Sequence, residues 1–224
     1  MLDQAVGQGK MKLALATKVK ARGGYLLGAV ERVQKASGMR YPSYYVEPAL
    51  PVAVAAGEVG SLGALYARVI PAVFDGRLSI LIQFTAPLVL YGAKGTVEAV
   101  AAHEFTHYVD LVGRLSTMNI VSDERVSTLF EAGHADEGRV ASPGKVFAKD
   151  RPLAALVKRK FSPNLKDPRL DAKVSAKWIE AGLPTRMVAP EENTVRLDSQ
   201  AVAGASFDPM LLAWLQSARR QGRR

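Results

Sequence analysis

The chain has 224 residues, is 48% hydrophobic and carries a formal net charge of +9, which suits one globular domain with appended segments, or at most two small domains. It contains no cysteine, so disulfides and thiolate metal sites are excluded and any metal must be held by His, Asp or Glu. No apolar run reaches the length of a membrane span, and the start Met1-Leu2-Asp3-Gln4 lacks the charged opening and apolar stretch of a signal peptide, so a cytoplasmic protein is the expectation.

The charge is unevenly placed. Residues 1–40 carry +6, residues 41–140 carry −5 and residues 141–224 carry +8. An acidic middle is thus flanked by two basic arms, which suit an anionic partner, either nucleic acid or an acidic protein, or serve as a solvated surface.

Residues 2–37 read as helical. Ala, Lys, Leu and Val dominate, with apolar positions at Leu13, Ala16, Val19, Leu26, Leu27, Val30 and Val33, and Gly23-Gly24 divides the stretch into two helices. From Arg40 to Val52 the prolines Pro42, Pro48 and Pro51 favour extended chain. Tyr41, Tyr44 and Tyr45 could stack bases, but packing onto a core is the preferred reading. Residues 53–84 read as β structure. Ala64–Ile70 is a possible strand, Asp75-Gly76 a turn, and Leu78–Phe84 a second strand in which Leu81 interrupts the alternation, as if both faces were covered. Residues 85–95 read as a connection.

Val97 to about Gly113 reads as a helix, with Thr96 as N-cap, Glu98 favoured by the positive helix end and Gly113 at its close. A further helix is expected from Ser122, with Asp123 and Glu124 in its first turn, Val126, Leu129 and Phe130 on its buried face, and Gly133 at its end. In the last third, Asp167-Pro168 and Gly182 frame a helix over 168–181, and Asp208-Pro209 opens a final one containing Met210, Leu211, Leu212, Trp214 and Leu215.

The chemistry is concentrated in His103-Glu104-Phe105-Thr106-His107, an instance of H-E-x-x-H. Positions i and i+4 of a helix share one face, so two imidazoles there can hold one Zn²⁺ at about 2.0–2.1 Å each. Glu104 lies roughly 100° round the helix from His103, at the rim of such a metal, where a carboxylate can take a proton from a metal-bound water. A catalytic zinc takes three protein ligands and a water. Downstream candidates for the third are Asp110, Asp123, Glu124, Glu131, His134, Asp136 and Glu137. Glu124 and Glu131 share a helix face but stand about 10.5 Å apart along the axis, too far to bind one ion together.

HEFTH followed by Asp-Glu-Arg-Val-Ser-Thr-Leu-Phe-Glu at 123–131 resembles the gluzincin metallopeptidases, the thermolysin and zinc-aminopeptidase type, over about residues 75–135. That family carries H-E-x-x-H on one helix and a ligand glutamate on the next, often in a pattern like N-E-G-F-A-x-x-x-E. By this resemblance Glu124 matches the ligand, Ser127 the small residue three positions on and Glu131 the later glutamate. Asp123 stands where the family has Asn, and Thr128 where some members place Asp. The third histidine and glycine of metzincins are absent. The resemblance ranks Glu124 first as third ligand, then Glu131, then His134. It also implies a strand before the motif helix, here Leu78–Phe84, whose edge pairs with an extended peptide substrate.

The resulting expectation is an α+β fold. A zincin-like core over 41–140, with a small, mostly antiparallel sheet packed on two site helices, would be extended by basic helical segments over 1–40 and 141–224. The expected function is a zinc metallopeptidase acting on peptide or protein, with His103, His107 and Glu124 on Zn²⁺ and Glu104 as general base. The alternative is a zincin fold used as a structural or binding protein, associated through its basic arms with nucleic acid or a virion.

Overall fold

The computed structural model describes residues 1–54, 62–116, 141–161, 164–188 and 199–221. The helix expected from Ser122, and with it Glu124, Glu131 and His134, lies outside these residues.

The N-terminal segment folds as three helices, α1 (Leu2–Gly7), α2 (Leu13–Ala21) and α3 (Gly23–Ser37). The break expected at Gly23-Gly24 falls at Arg22, and a further break after Gly7 makes three helices where the sequence suggests two. Ala16, Val19, Leu26, Val30 and Val33 face inward, while Leu13 and Leu27 are exposed. The strands are β1 (Ser43–Glu47), β2 (Leu50–Val54), β3 (Leu62–Ala64), β4 (Ala67–Phe74) and β5 (Arg77–Thr85). Asp75 and Gly76 join β4 to β5 with φ of 48° and 71°. Two consecutive positive φ values make the tight hairpin turn whose twist suits the flanking strands. β4 runs through Pro71, past the strand end expected from the sequence.

One sheet has the order β1-β5-β4. β5 is antiparallel to β4 and parallel to β1. A second sheet, β3-β2-β6, adds β6 (Thr185–Met187) parallel to β2, with β3 antiparallel. The fold class is α+β as expected, but both sheets are mixed rather than mostly antiparallel. The reason is long-range: β1 and β6 enter from distant parts of the chain, and no local turn dictates their direction. β5 is buried along Leu78, Ile80, Ile82 and Phe84, while Ser79 and Leu81 are half-buried, so both faces of the strand are at least partly covered.

Residues 86–91, expected as part of a connection, form a helix, α4 (Ala86–Tyr91), with Pro87 in its first turn, where a missing N–H costs nothing. Next comes α5 (Lys94–Leu115), buried nearly all round by Val97, Val100, Ala101, Ala102, Phe105, Val109 and Val112. A helix with apolar residues on most of its sides must be largely surrounded. Here α3, the β4 edge of the first sheet, α6 (Pro143–Val146), α7 (Arg151–Lys160) and α10 (Pro209–Gln221) pack against it. Gly113 does not end α5. It lies inside the last turn, and a Cβ there would stand 3.2 Å from Leu215 of α10.

Polar ties fix this arrangement. Arg32 on α3 donates to Glu98 on α5 at 2.7 Å and to both oxygens of Asp150 at 2.8 and 3.1 Å, where Asp150 caps α7 by accepting from the Leu153 N–H. α8 (Pro168–Val174) continues into a π-helical turn at Ser175–Ile179, and α9 (Ser199–Ala203) precedes α10. Asp167 caps α8 through the Leu170 N–H, as its position before Pro168 implies. The buried apolar cluster is continuous from Leu26 and Val33 through Phe84 and Phe105 to Phe147, Trp178 and Leu215. The three segments that differ in charge therefore share one core. Among the described residues no helix is long and apolar enough to cross a membrane.

Candidate metal centre

The motif helix starts earlier than its sequence suggests. Its N-cap is Ala93, and Thr96 sits in the first turn. The Thr96 hydroxyl donates instead to Asp167, so it ties α5 to the start of α8. Glu98, one turn in, is held by Arg32 rather than by the helix end.

His103 and His107 lie on one face of α5, both half-buried. Their rings meet edge to face, with centroids 4.4 Å apart and planes at 88°, and the two Nε2 atoms are 2.9 Å apart. At that distance one Nε2 carries a proton and the other offers its lone pair to it. A cation in place of the proton would be met by both lone pairs. A tetrahedral zinc with bonds of about 2.0–2.1 Å separates two ligand nitrogens by about 3.3 Å, so the pair needs to open only slightly to fit one. The donor set, two imidazoles with no thiolate, is also of the kind that zinc accepts.

His103 has a local reason for its position. Phe161, immediately after α7, stacks flat on His103, with centroids 3.7 Å apart and planes at 6°, which fixes the ring plane. Thr106 bonds back to the His103 carbonyl at 2.7 Å. Asp110, one turn beyond His107 on the same side of the helix, accepts from the Ala141 N–H at 3.0 Å and so anchors the start of the C-terminal segment to the motif helix.

Glu104 points away from solvent and is 8% exposed. Burial alone pushes its carboxyl up to about 8. Its neighbour is the buried phenol of Tyr41, which donates to the Ala101 carbonyl at 2.9 Å and stacks on Phe105 with centroids 5.3 Å apart. Burial first, and the Glu104 charge second, push that phenol well above its ordinary range. Tyr44 meets both Tyr41 and Phe84 edge-on, and Tyr45 is bonded to Gln83, so the three tyrosines pack the core and the sheet and offer no ladder for bases.

Among the sequence-predicted site residues, the fold brings His103, Glu104 and His107 together on one helix with Asp110 beyond them. No group of three or more metal-ligating side chains forms among the described residues. The strand expected to offer its edge to a substrate, β5, is the middle strand. Among the described residues the outer strands of that sheet are β1 and β4, and β4 is the one packed on α5. Phe161 is the site residue that sequence reasoning missed. The signal for α7 was present in Asp150, with Pro152 two positions on and the stripe Leu153, Ala154 and Val157, but only the fold shows that its end reaches His103. No family model, no curated protein and no solved structure matches this chain.

Proposed function

We propose that the chain is a zinc-dependent metallopeptidase of gluzincin type with a zincin-like core, in which His103, His107 and Glu124 hold Zn²⁺. The observation that carries this reading is the approach of the two Nε2 atoms to 2.9 Å on one helix face, with a buried carboxylate at the chain position that follows the first of them. Bound zinc supplies a Lewis acid that polarises a carbonyl and acidifies a water. Glu104 takes the proton of the attacking water at its carboxylate and returns it to the leaving nitrogen. Burial suits it to this work, because a carboxylate raised toward neutrality both accepts and releases a proton near pH 7. Phe161 keeps the His103 ring in the ligating plane. β4, the outer strand beside α5, takes the place of β5 as the edge that receives an extended peptide through backbone hydrogen bonds.

The test is Glu104→Gln, which preserves shape and removes the base. Zinc should stay bound at the wild-type level while hydrolysis of a mixed peptide library, read by mass spectrometry, falls by a factor of about 10² or more. Wild-type turnover in the variant would remove Glu104 from the mechanism.

A second reading is favoured by a specific observation. Cationic side chains from both basic arms meet in one cavity at the start of α5. A zincin-fold binding protein, held to an anionic partner such as nucleic acid or to a particle such as a virion, would use such a surface without hydrolysis.

A further inference from the structure

The two basic arms are far apart in sequence, yet the fold brings part of each to one place. A cavity of about 410 Å³ lies beside the N-terminus of α5, and Arg22 from the first arm and Lys160, Arg169, Lys173 and Lys177 from the second line it, against one carboxylate, Asp167. The carboxylate is already engaged by Lys160 at 2.7 Å, by the Thr96 hydroxyl and by the Leu170 N–H. It therefore neutralises Lys160; the other four cations of the cavity are Arg22, Arg169, Lys173 and Lys177. Among the described residues none of these four makes an ion pair.

Their placement is not that of a diffuse surface. Arg22 is fixed in the wall, donating to the carbonyls of Val89 at 3.0 Å and Gly92 at 2.7 Å. Arg169, Lys173 and Lys177 follow at intervals of four residues along α8 and the π-helical turn, so they share a side at steps of about 6 Å. The 22-residue α5 opens on the same cavity through Ala93 and Thr96, adding the positive end of a long helix. Like charges gathered around one cavity repel one another, and an anion that answers several at once would relieve that repulsion. The spread of the row calls for more than one negative group, and Lys and Arg at such spacing are the usual partners of phosphoryl oxygens.

We propose that this cavity is a binding site for a polyphosphate anion, taken either as free polyphosphate or as the phosphate chain of a nucleoside triphosphate. Neither His103 nor His107 lines this cavity, and the assignment does not depend on the peptidase reading.

The experiment is isothermal titration of the full chain with inorganic tripolyphosphate and, separately, with a nucleoside triphosphate. One saturable site per chain is expected. The double substitution Lys173→Glu and Lys177→Glu, at exposed positions, should weaken it by about tenfold or more without lowering the melting temperature of the free protein. Lys35→Glu, an exposed change of the same kind on α3, should leave the affinity within about twofold. Equal affinity for the two ligands identifies the source as free polyphosphate, and tighter binding of the triphosphate identifies a nucleotide. Absence of saturable binding, equal losses in the Lys35 and the Lys173/Lys177 variants, or binding of a single-stranded oligonucleotide in the absence of any tripolyphosphate binding would overturn the assignment.

Discussion

At the scale of single residues, the candidate centre rests on contacts that hold side chains in one orientation. Phe161 shields one face of His103 and sets its plane, so Phe161→Ala should weaken zinc binding by about tenfold, the lower end of what residues supporting a ligand contribute, while the fold melts as a unit. Competition against a chromogenic chelator reads this directly, and unchanged affinity would remove Phe161 from the site. Gly92, between α4 and α5, illustrates a backbone constraint. A Cβ there would stand 2.5 Å from the Leu88 carbonyl oxygen and 3.1 Å from Val97. Gly92→Ala should therefore cost about 1–3 kcal/mol in chemical denaturation, the range of overpacked sites. Phe105, fully buried against Tyr41 in the motif helix itself, should cost about 3–5 kcal/mol when cut to Ala.

At the scale of elements, three helices are tied by Arg32, which bridges Glu98 on α5 and Asp150 at the head of α7. The Arg32 hydrogen bond, helped by the Leu153 N–H and opposed by burial, holds the Asp150 carboxyl below its ordinary range. A carboxyl lowered on folding contributes stability that is fully present above its unfolded value near 4 and is lost as pH falls through the folded value. Asp150→Asn keeps a good helix cap and removes the charge. It should lower stability at pH 7, and the gap to wild type should close below about pH 4, as followed by urea denaturation across pH. A gap that persists at low pH would show that the cap and not the ion pair is what matters.

Much of this level was legible in the sequence. Asp75-Gly76, Asp167-Pro168 and Asp208-Pro209 announce a turn and two helix starts through residues whose local chemistry leaves few options. The H-E-x-x-H spacing likewise needs only a helix to bring its rings together. Thr96 misled because a hydroxyl before an apolar run reads as a cap, whereas here it bonds to Asp167, 71 residues away. The direction of β1 and β6, the reach of α7 to His103 and the meeting of the basic arms depend on tertiary packing, which no local pattern encodes.

At the scale of the whole molecule, a chain with three differently charged segments has one apolar interior. α5 is enclosed by elements from all three, so neither the motif helix nor the sheet has a complete covering without the C-terminal helices. The fragment 41–140 alone should therefore lack a cooperative melt, and the chain ending at residue 140 should bind a dye for exposed apolar surface; a sharp transition in the fragment would show that the middle segment folds independently.

The histidine pair is proposed as one side of a zinc site completed by Glu124. The most direct test is the metal content of the purified chain by mass spectrometry, beside His103→Ala and Glu124→Ala. The prediction is about one zinc per chain, lost in both variants. Zinc retained in Glu124→Ala but lost in His103→Ala would move the third ligand to another residue. A wild-type chain that takes up no metal even after incubation with Zn²⁺ would show that the histidine pair is not part of a zinc site.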